Sequence, residues 1–378
     1  MNRRKLFVSG ILLIVGLSTW FILKQGNLNP IEPRYLKNQS KHNAVEVASY
    51  KTQKVAVEKG IIETNLKQNQ PVNILECNPK TKEIDSTQYS DQSMAQINNK
   101  LKHSGSSFDQ LAFNLMQDFK ISKMNSQKQA QNNFDWLLEY SQNDESNNLA
   151  LFSLLQACSN NFKLQGCEEV ETKAKFTLAD NAAIWQVIAS KYIKQGNDLE
   201  AIKAIKNASN STFYANYNFE FEDLYRESLL ANGFANDYNQ AIILAKGYTL
   251  ARPNTSYTQI IKFCKNNASS IEASCLKMGS VMKNASSDIL TGAVGANLLK
   301  GIHKVNNNKE EIEKQEAYIK DLFSREHFDK VTNLMTYDES LIINYIENWR
   351  QYGELKAVKL AVADAIKKSK DINYNPCI

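Results

Sequence analysis

"WQVIASKYIKQGNDLEAIKAIKNA", from Trp185 to Ala208, decides how the chain folds. Trp185, Ile188, Ala189 and Tyr192 recur at i, i+3, i+4 and i+7, which draws one apolar stripe along a helix. Gly196 supplies a tight turn, and Asn197-Asp198 are natural helix starters. Ala201, Ile202, Ile205 and Ala208 form a second stripe. Small side chains at Ala189 and Ala201 let the two helices approach closely. The stretch predicts a helix hairpin in which Trp185 and Tyr192 carry fold rather than chemistry. Lys191, off the stripe, is expected at the surface.

These residues resemble the tetratricopeptide repeat. Trp185, Ile188-Ala189, Tyr192, Gly196, Ala201-Ile202, Ile205 and Ala208 stand at that family's offsets. Ala189 replaces its glycine and Ile205 its aromatic. A second unit, "LYRESLLANGFANDYNQAIILAKGYTLARPN", matches through Gly233, Ala241-Ile242, Ala245 and Pro253. The longer distance from Ala201 to Ala241 is similar to the Sel1-like variant. "YIENWRQYGELKAVKLAVADAI", from Tyr345, is a weaker echo. The resemblance covers about residues 182–254. It implies an all-α solenoid of stacked helix hairpins whose groove binds other proteins. One or two such units cannot bury their own faces, so flanking helices must complete the stack.

Toward the N-terminus, Arg3, Arg4 and Lys5 precede Leu6–Leu23, "LFVSGILLIVGLSTWFIL", which carries no charge. That length just suffices to cross a bilayer, and the basic flank belongs in the cytosol. Residues 1–5 are thus expected to be cytosolic and 6–23 a transmembrane signal anchor. A cleaved signal peptide is the alternative, although Trp20-Phe21-Ile22 fits a cleavage site poorly. Residues 24–105 are polar and hold four of the six prolines, which reads as a spacer with a short helix near Ala44–Ile62. From Phe108, helical periodicity begins at Phe108, Leu111, Leu115 and Phe119, so 106–378 is expected to be the helical-repeat domain. The net charge of +5 belongs largely to the anchor: its four basic residues leave 41 against 40 acids. So even a balance argues against a nucleic-acid partner.

All six cysteines follow the anchor, which in an oxidising compartment reads as disulfides. Six cysteines allow 15 pairings. Cys158 and Cys167 flank one polar turn, and Cys264 and Cys275 another. Both pairs follow an apolar run and a Cys-x-Asn-Asn. Cys77 and Cys377 pair by elimination. No CxxC occurs, and His42, His103, His303 and His327 are scattered, so no metal site is expected.

Motifs of catalysis are sparse. Ser274-x-x-Lys277 and Ser280-x-x-Lys283 match one element of penicillin-recognising enzymes, but no Lys-Thr-Gly follows. Gly292-x-x-Gly295 reads as helix packing. Arg325-Glu-His-Phe328-Asp329 resembles the start of a motif in lipase-specific foldases, with Lys330 where that family has tyrosine. No cofactor and no enzymatic activity are expected. The sequence suggests a single-pass protein of the inner membrane, its C-terminal domain in the periplasm, acting as scaffold or adaptor for another envelope protein. A chaperone or inhibitor of one secreted protein, and a cell-wall or polysaccharide enzyme, are the alternatives.

Overall fold

The computed structural model describes residues 73–77, 91–121, 127–143, 148–161, 163–235, 238–251, 257–323 and 327–377. The expected anchor, its basic flank and the helix near Ala44–Ile62 lie outside the described residues. Among those described, no helix is long and apolar enough to cross a membrane.

The fold is all-α. The chain forms α1 (Asp91–Lys102), α2 (Ser107–Ile121), α3 (Gln127–Asn143), α4 (Asn148–Asn160) and α5 (Cys167–Thr177). The quoted stretch spans α6 (Ala182–Lys194) and α7 (Asp198–Asn210), followed by α8 (Asn218–Ala231) and α9 (Tyr238–Ala251). Then come α10 (Tyr257–Asn266), α11 (Ala268–Asn284), α12 (Ile289–Val305) and α13 (Lys309–Phe323). The last are α14 (Phe328–Met335), α15 (Glu339–Tyr352) and α16 (Glu354–Ser369).

Local chemistry sets these boundaries. Asn181 caps α6 by accepting the Ala183 N–H at 3.1 Å, and Asn197 caps α7 through the Glu200 N–H. Gly196 turns between them with φ +72°, a conformation that L side chains resist. Asp288 and Asp338 cap α12 and α15 in the same way.

Helices stack in layers, but not in chain order. α6 pairs with α7, α7 packs on α11, α11 on α12 and α12 on α13. The α8–α9 hairpin, next in sequence after α7, instead lays α8 against α2 and α9 against α15. At the α11–α12 crossing, a Cβ on Gly295 would meet Gly279 O and Lys283 N at 2.6 Å, so this glycine permits the close approach.

Two cores result. The first runs from Ile97 and Leu101 of α1 through Ile302 of α12. The second gathers Ile74, Cys77, Ile289, Leu322 and the apolar faces of α14, α15 and α16. The folded body therefore reaches further toward the N-terminus than the change of character at Phe108. Ile97 and Leu101, one turn apart in an Asn/Gln/Lys-rich helix, are enough to bury α1.

Candidate functional site

Three disulfides form: Cys158–Cys167, Cys264–Cys275 and Cys77–Cys377, with Cα separations of 5.5, 6.0 and 5.3 Å. The first two are the pairs the spacing implies, and the third is the pair left by elimination. In α6 and α7, Ile188, Ala189, Ala201, Ile205 and Ala208 are buried, and Gly196 is exposed in its turn. Trp185 and Tyr192 are only half-buried. The Trp185 Nε1–H donates to Ala179 O at 2.7 Å, and the Tyr192 hydroxyl donates to Glu171 Oε1 at 2.9 Å. Burial, then Glu171, pushes the Tyr192 phenol up to about 12. Lys191 is not a free surface cation: its side chain is 13% exposed and it pairs with Glu171 at 2.6 Å. Nor is α6 a simple amphipathic brick. Gln186, Ser190 and Ile184 are buried too, because α4, α5, α7 and α10 all pack around it.

The other motifs resolve into structure. Lys277 donates to Asn210 Oδ1 at 3.0 Å, and Lys283 donates to Gln315 Oε1 at 2.8 Å. Phe328 sits in the second core, and Arg325 lies outside the described residues. No group of three or more His, Cys, Asp or Glu side chains among the described residues is placed to hold a metal.

The chemically distinctive region is α8. Its sequence, NFEFEDLYRESLLA, buries Glu222, Asp223 and Arg226 at 3%, 2% and 0% exposure. Charges are so placed only when paired, since desolvation of a lone ion costs several kcal/mol. Arg350 of α15 donates twice to the Asp223 carboxylate, at 2.7 and 2.8 Å, and Arg226 donates to it as well. Arg226 also bonds Glu227 Oε1 at 3.0 Å, yet its Nε and Nη1 find no acceptor among the described residues. Lys246 of α9 lies 3.6 Å from Glu222 and 4.8 Å from the Trp349 ring centroid. Burial raises the Glu222 carboxyl, and Lys246 and Arg226 partly offset it. This ionic cluster is where α8 and α9 meet the second core.

A second polar group lies at the starts of α6, α8, α12 and α16. The connector Ser211–Tyr217 runs between two other loops: the Ala182 N–H donates to Phe213 O at 2.9 Å, and the Tyr214 N–H to Ala285 O at 3.1 Å. Asn216 bonds both Asp288 Oδ2 and Thr291 Oγ1 at 3.2 Å. The Ile289 N–H donates to Glu354 Oε2 at 2.8 Å. Burial pushes the Glu220 carboxyl up to about 7, against the opposing bond from its own backbone, and Asp223 and Asp288 push it further. Asp288 is raised by burial as well. Raised carboxyls are candidates for acid–base work in a cleft. Here they face packed helices, and a cleft of about 290 Å³ lies elsewhere, lined by Asn73–Glu76 and Ser369. The arrangement joins two cores through buried ion pairs and a carboxyl, Glu220, raised toward neutral pH. Sequence reasoning missed it. Its one advance signal was the density of charge in α8 between Phe219 and Leu229, which reads equally as a solvated face. No family model, no curated protein and no solved structure matches the chain.

Proposed function

We propose that the chain is a scaffold or adaptor of the cell envelope, held at the outer face of the inner membrane by Leu6–Leu23 and presenting a stack of tetratricopeptide- or Sel1-like hairpins to a partner protein. The observation that carries this reading is the complete pairing of six cysteines, expected of a chain that matures in an oxidising compartment. The uncharged run behind Arg3-Arg4-Lys5 supplies the anchor. Layered hairpins support a binding role, because such surfaces recognise segments of other proteins by shape and side chain.

Photo-crosslinkers at Phe176 and Leu199, which are 90% and 74% exposed, test the reading in intact cells. A discrete adduct with one envelope protein is expected, lost when Leu6–Leu23 is exchanged for a cleavable leader. Free thiols in the cellular protein, or protection of the body from external protease in spheroplasts, overturns it.

A further inference from the structure

Asn73–Cys77 is not helical, yet it is tied into the second core. Ile74 is 2% exposed and belongs to the second core. The Leu75 N–H donates to Ser369 Oγ of α16 at 2.9 Å, and the Cys77 N–H donates to Asn333 Oδ1 of α14 at 3.1 Å. Glu76 pairs with Lys330 of α14. Alternate backbone amides read by side chains, with one aliphatic residue buried beside them, is how a groove takes an extended peptide. Here the peptide is the chain's own.

Few of these contacts hold on their own. The Lys330–Glu76 pair is exposed on both sides, and such pairs contribute little. Ordering five residues costs entropy that one isoleucine and two hydrogen bonds barely offset. The Cys77–Cys377 bond supplies the rest. Cys377 lies in the irregular segment after α16, where Ile372 is 97% exposed and Tyr374 is held by a hydroxyl bond to Asp338 at 2.6 Å, a turn bond to Asp371 O and Lys368 over its ring. Cys264 and Cys275 are both 0% exposed between α10 and α11. Cys167 is half-buried like Cys377, but it stands in the first turn of α5 beside Cys158, which is 1% exposed in α4. Exposing either of those pairs requires a helix to open; exposing Cys377 requires only an irregular segment to lift.

We propose that Cys77–Cys377 is a reducible latch. An external dithiol opens it before the other two disulfides, the Asn73–Cys77 strap leaves α14 and α16, and the vacated groove accepts an extended aliphatic peptide like the strap itself. One thiolate of the dithiol attacks Cys377 Sγ, and Cys77 leaves as a thiolate that takes up a proton. The second thiol of the reductant then attacks the mixed disulfide, releasing Cys377 as a thiol and closing the reductant into its own disulfide. Two electrons and two protons pass to the protein.

Graded dithiothreitol treatment of the purified full chain, with differential alkylation, hydrogen exchange and binding of a labelled peptide spanning residues 71–77 with Cys77→Ser, tests it. Cys77 and Cys377 are expected to alkylate about ten-fold faster than Cys158, Cys167, Cys264 and Cys275, since thiol access sets the exchange rate. The Leu75 and Cys77 amides then lose protection, and the peptide binds the reduced form and not the oxidised one. Equal alkylation rates overturn the latch, as do strap amides that stay protected after reduction. Peptide binding that ignores the redox state overturns the groove. The double variant Cys77→Ser, Cys377→Ser, oxidised elsewhere, should bind the peptide without reductant; a variant that keeps its helical signal but fails to bind also overturns the groove.

Discussion

α6 and α8 are both interior helices of nearly equal length, and they are buried by opposite means. α6 fills its surroundings with Ala182, Ala183, Ile184, Val187, Ile188 and Ala189. α8 places Glu222, Asp223 and Arg226 at equivalent depth. Apolar burial is non-directional, so α6 gains from any close-packed neighbour. A buried charge gains only from its partner; Arg226 finds Asp223 and Glu227 within α8, but the further partners of Glu222 and Asp223 come from α9 and α15. α6 therefore makes the layer, and α8 tests whether the distant layers have arrived.

The sharpest way to break that comparison is Asp223→Ala. It leaves buried Arg226 with only the more exposed Glu227 carboxylate, and losing one partner of a buried pair typically costs about 3–5 kcal/mol. Replacing both members, Asp223→Leu with Arg226→Met, should cost less than Asp223→Ala alone in urea denaturation, since Arg350 can turn to water. If Asp223→Ala costs under about 1 kcal/mol, within the range of an exposed pair, the charges of α8 are not what joins the cores. On the apolar side, Ile188→Ala at 1% exposure should cost about 2–5 kcal/mol by transfer and cavity together, with no dependence on salt.

Gly295→Ala comes next. Its Cβ would strike backbone on α11, and overpacking of this kind costs about 1–3 kcal/mol, read as a lower melting temperature with unchanged helicity. Glu220 gives the comparison a pH axis. Its carboxyl titrates at about 7 when folded against 4.5 when free, so the folded state binds the extra proton between those values. Stability from this group is full below about 4.5 and falls as pH rises toward 7, by about 1–3 kcal/mol. Glu220→Gln should flatten that slope, whereas no substitution in α6 should; Asp288 and Glu222 contribute with the same sign. The smallest effect is Lys203→Ala on α7. Its side chain is 69% exposed in a surface pair with Glu200, and thermal melts should shift by less than about 0.5 kcal/mol.

The same contrast explains what the sequence discloses. The stripes of α6 and α7 are visible because one residue type repeats with the helical period. The local disulfides are visible because ten residues cannot stray far. The order of the stack is not visible: nothing in the stripe of α7 distinguishes α11 from α8 as its neighbour. Glu222, Asp223 and Arg226 are hidden for a related reason, since an ion pair inside a protein has the same letters as one in water. Lys191 is misjudged likewise, because Glu171 waits twenty residues earlier on α5. Ile97 and Leu101 are two apolar residues in a polar run, too few to declare a helix before its neighbours are known.

The Cys77–Cys377 bond also orders events in time. Along the chain the cysteines occur at 77, 158, 167, 264, 275 and 377, and the first pairs with the last. Synthesis delivers Cys77 first, and its partner arrives 300 residues later. Meanwhile four other thiols emerge as two neighbouring couples. An oxidant that joined cysteines as they appeared would link Cys77 to Cys158 and shift every later bond. Correct maturation thus rests on α4–α5 and α10–α11 closing their own short loops quickly, leaving Cys77 unclaimed, or on an isomerase that undoes the early error. Refolding from the reduced chain should accordingly show fast formation of the two local bonds and a slow final step, on the scale of seconds to hours that disulfide reshuffling takes.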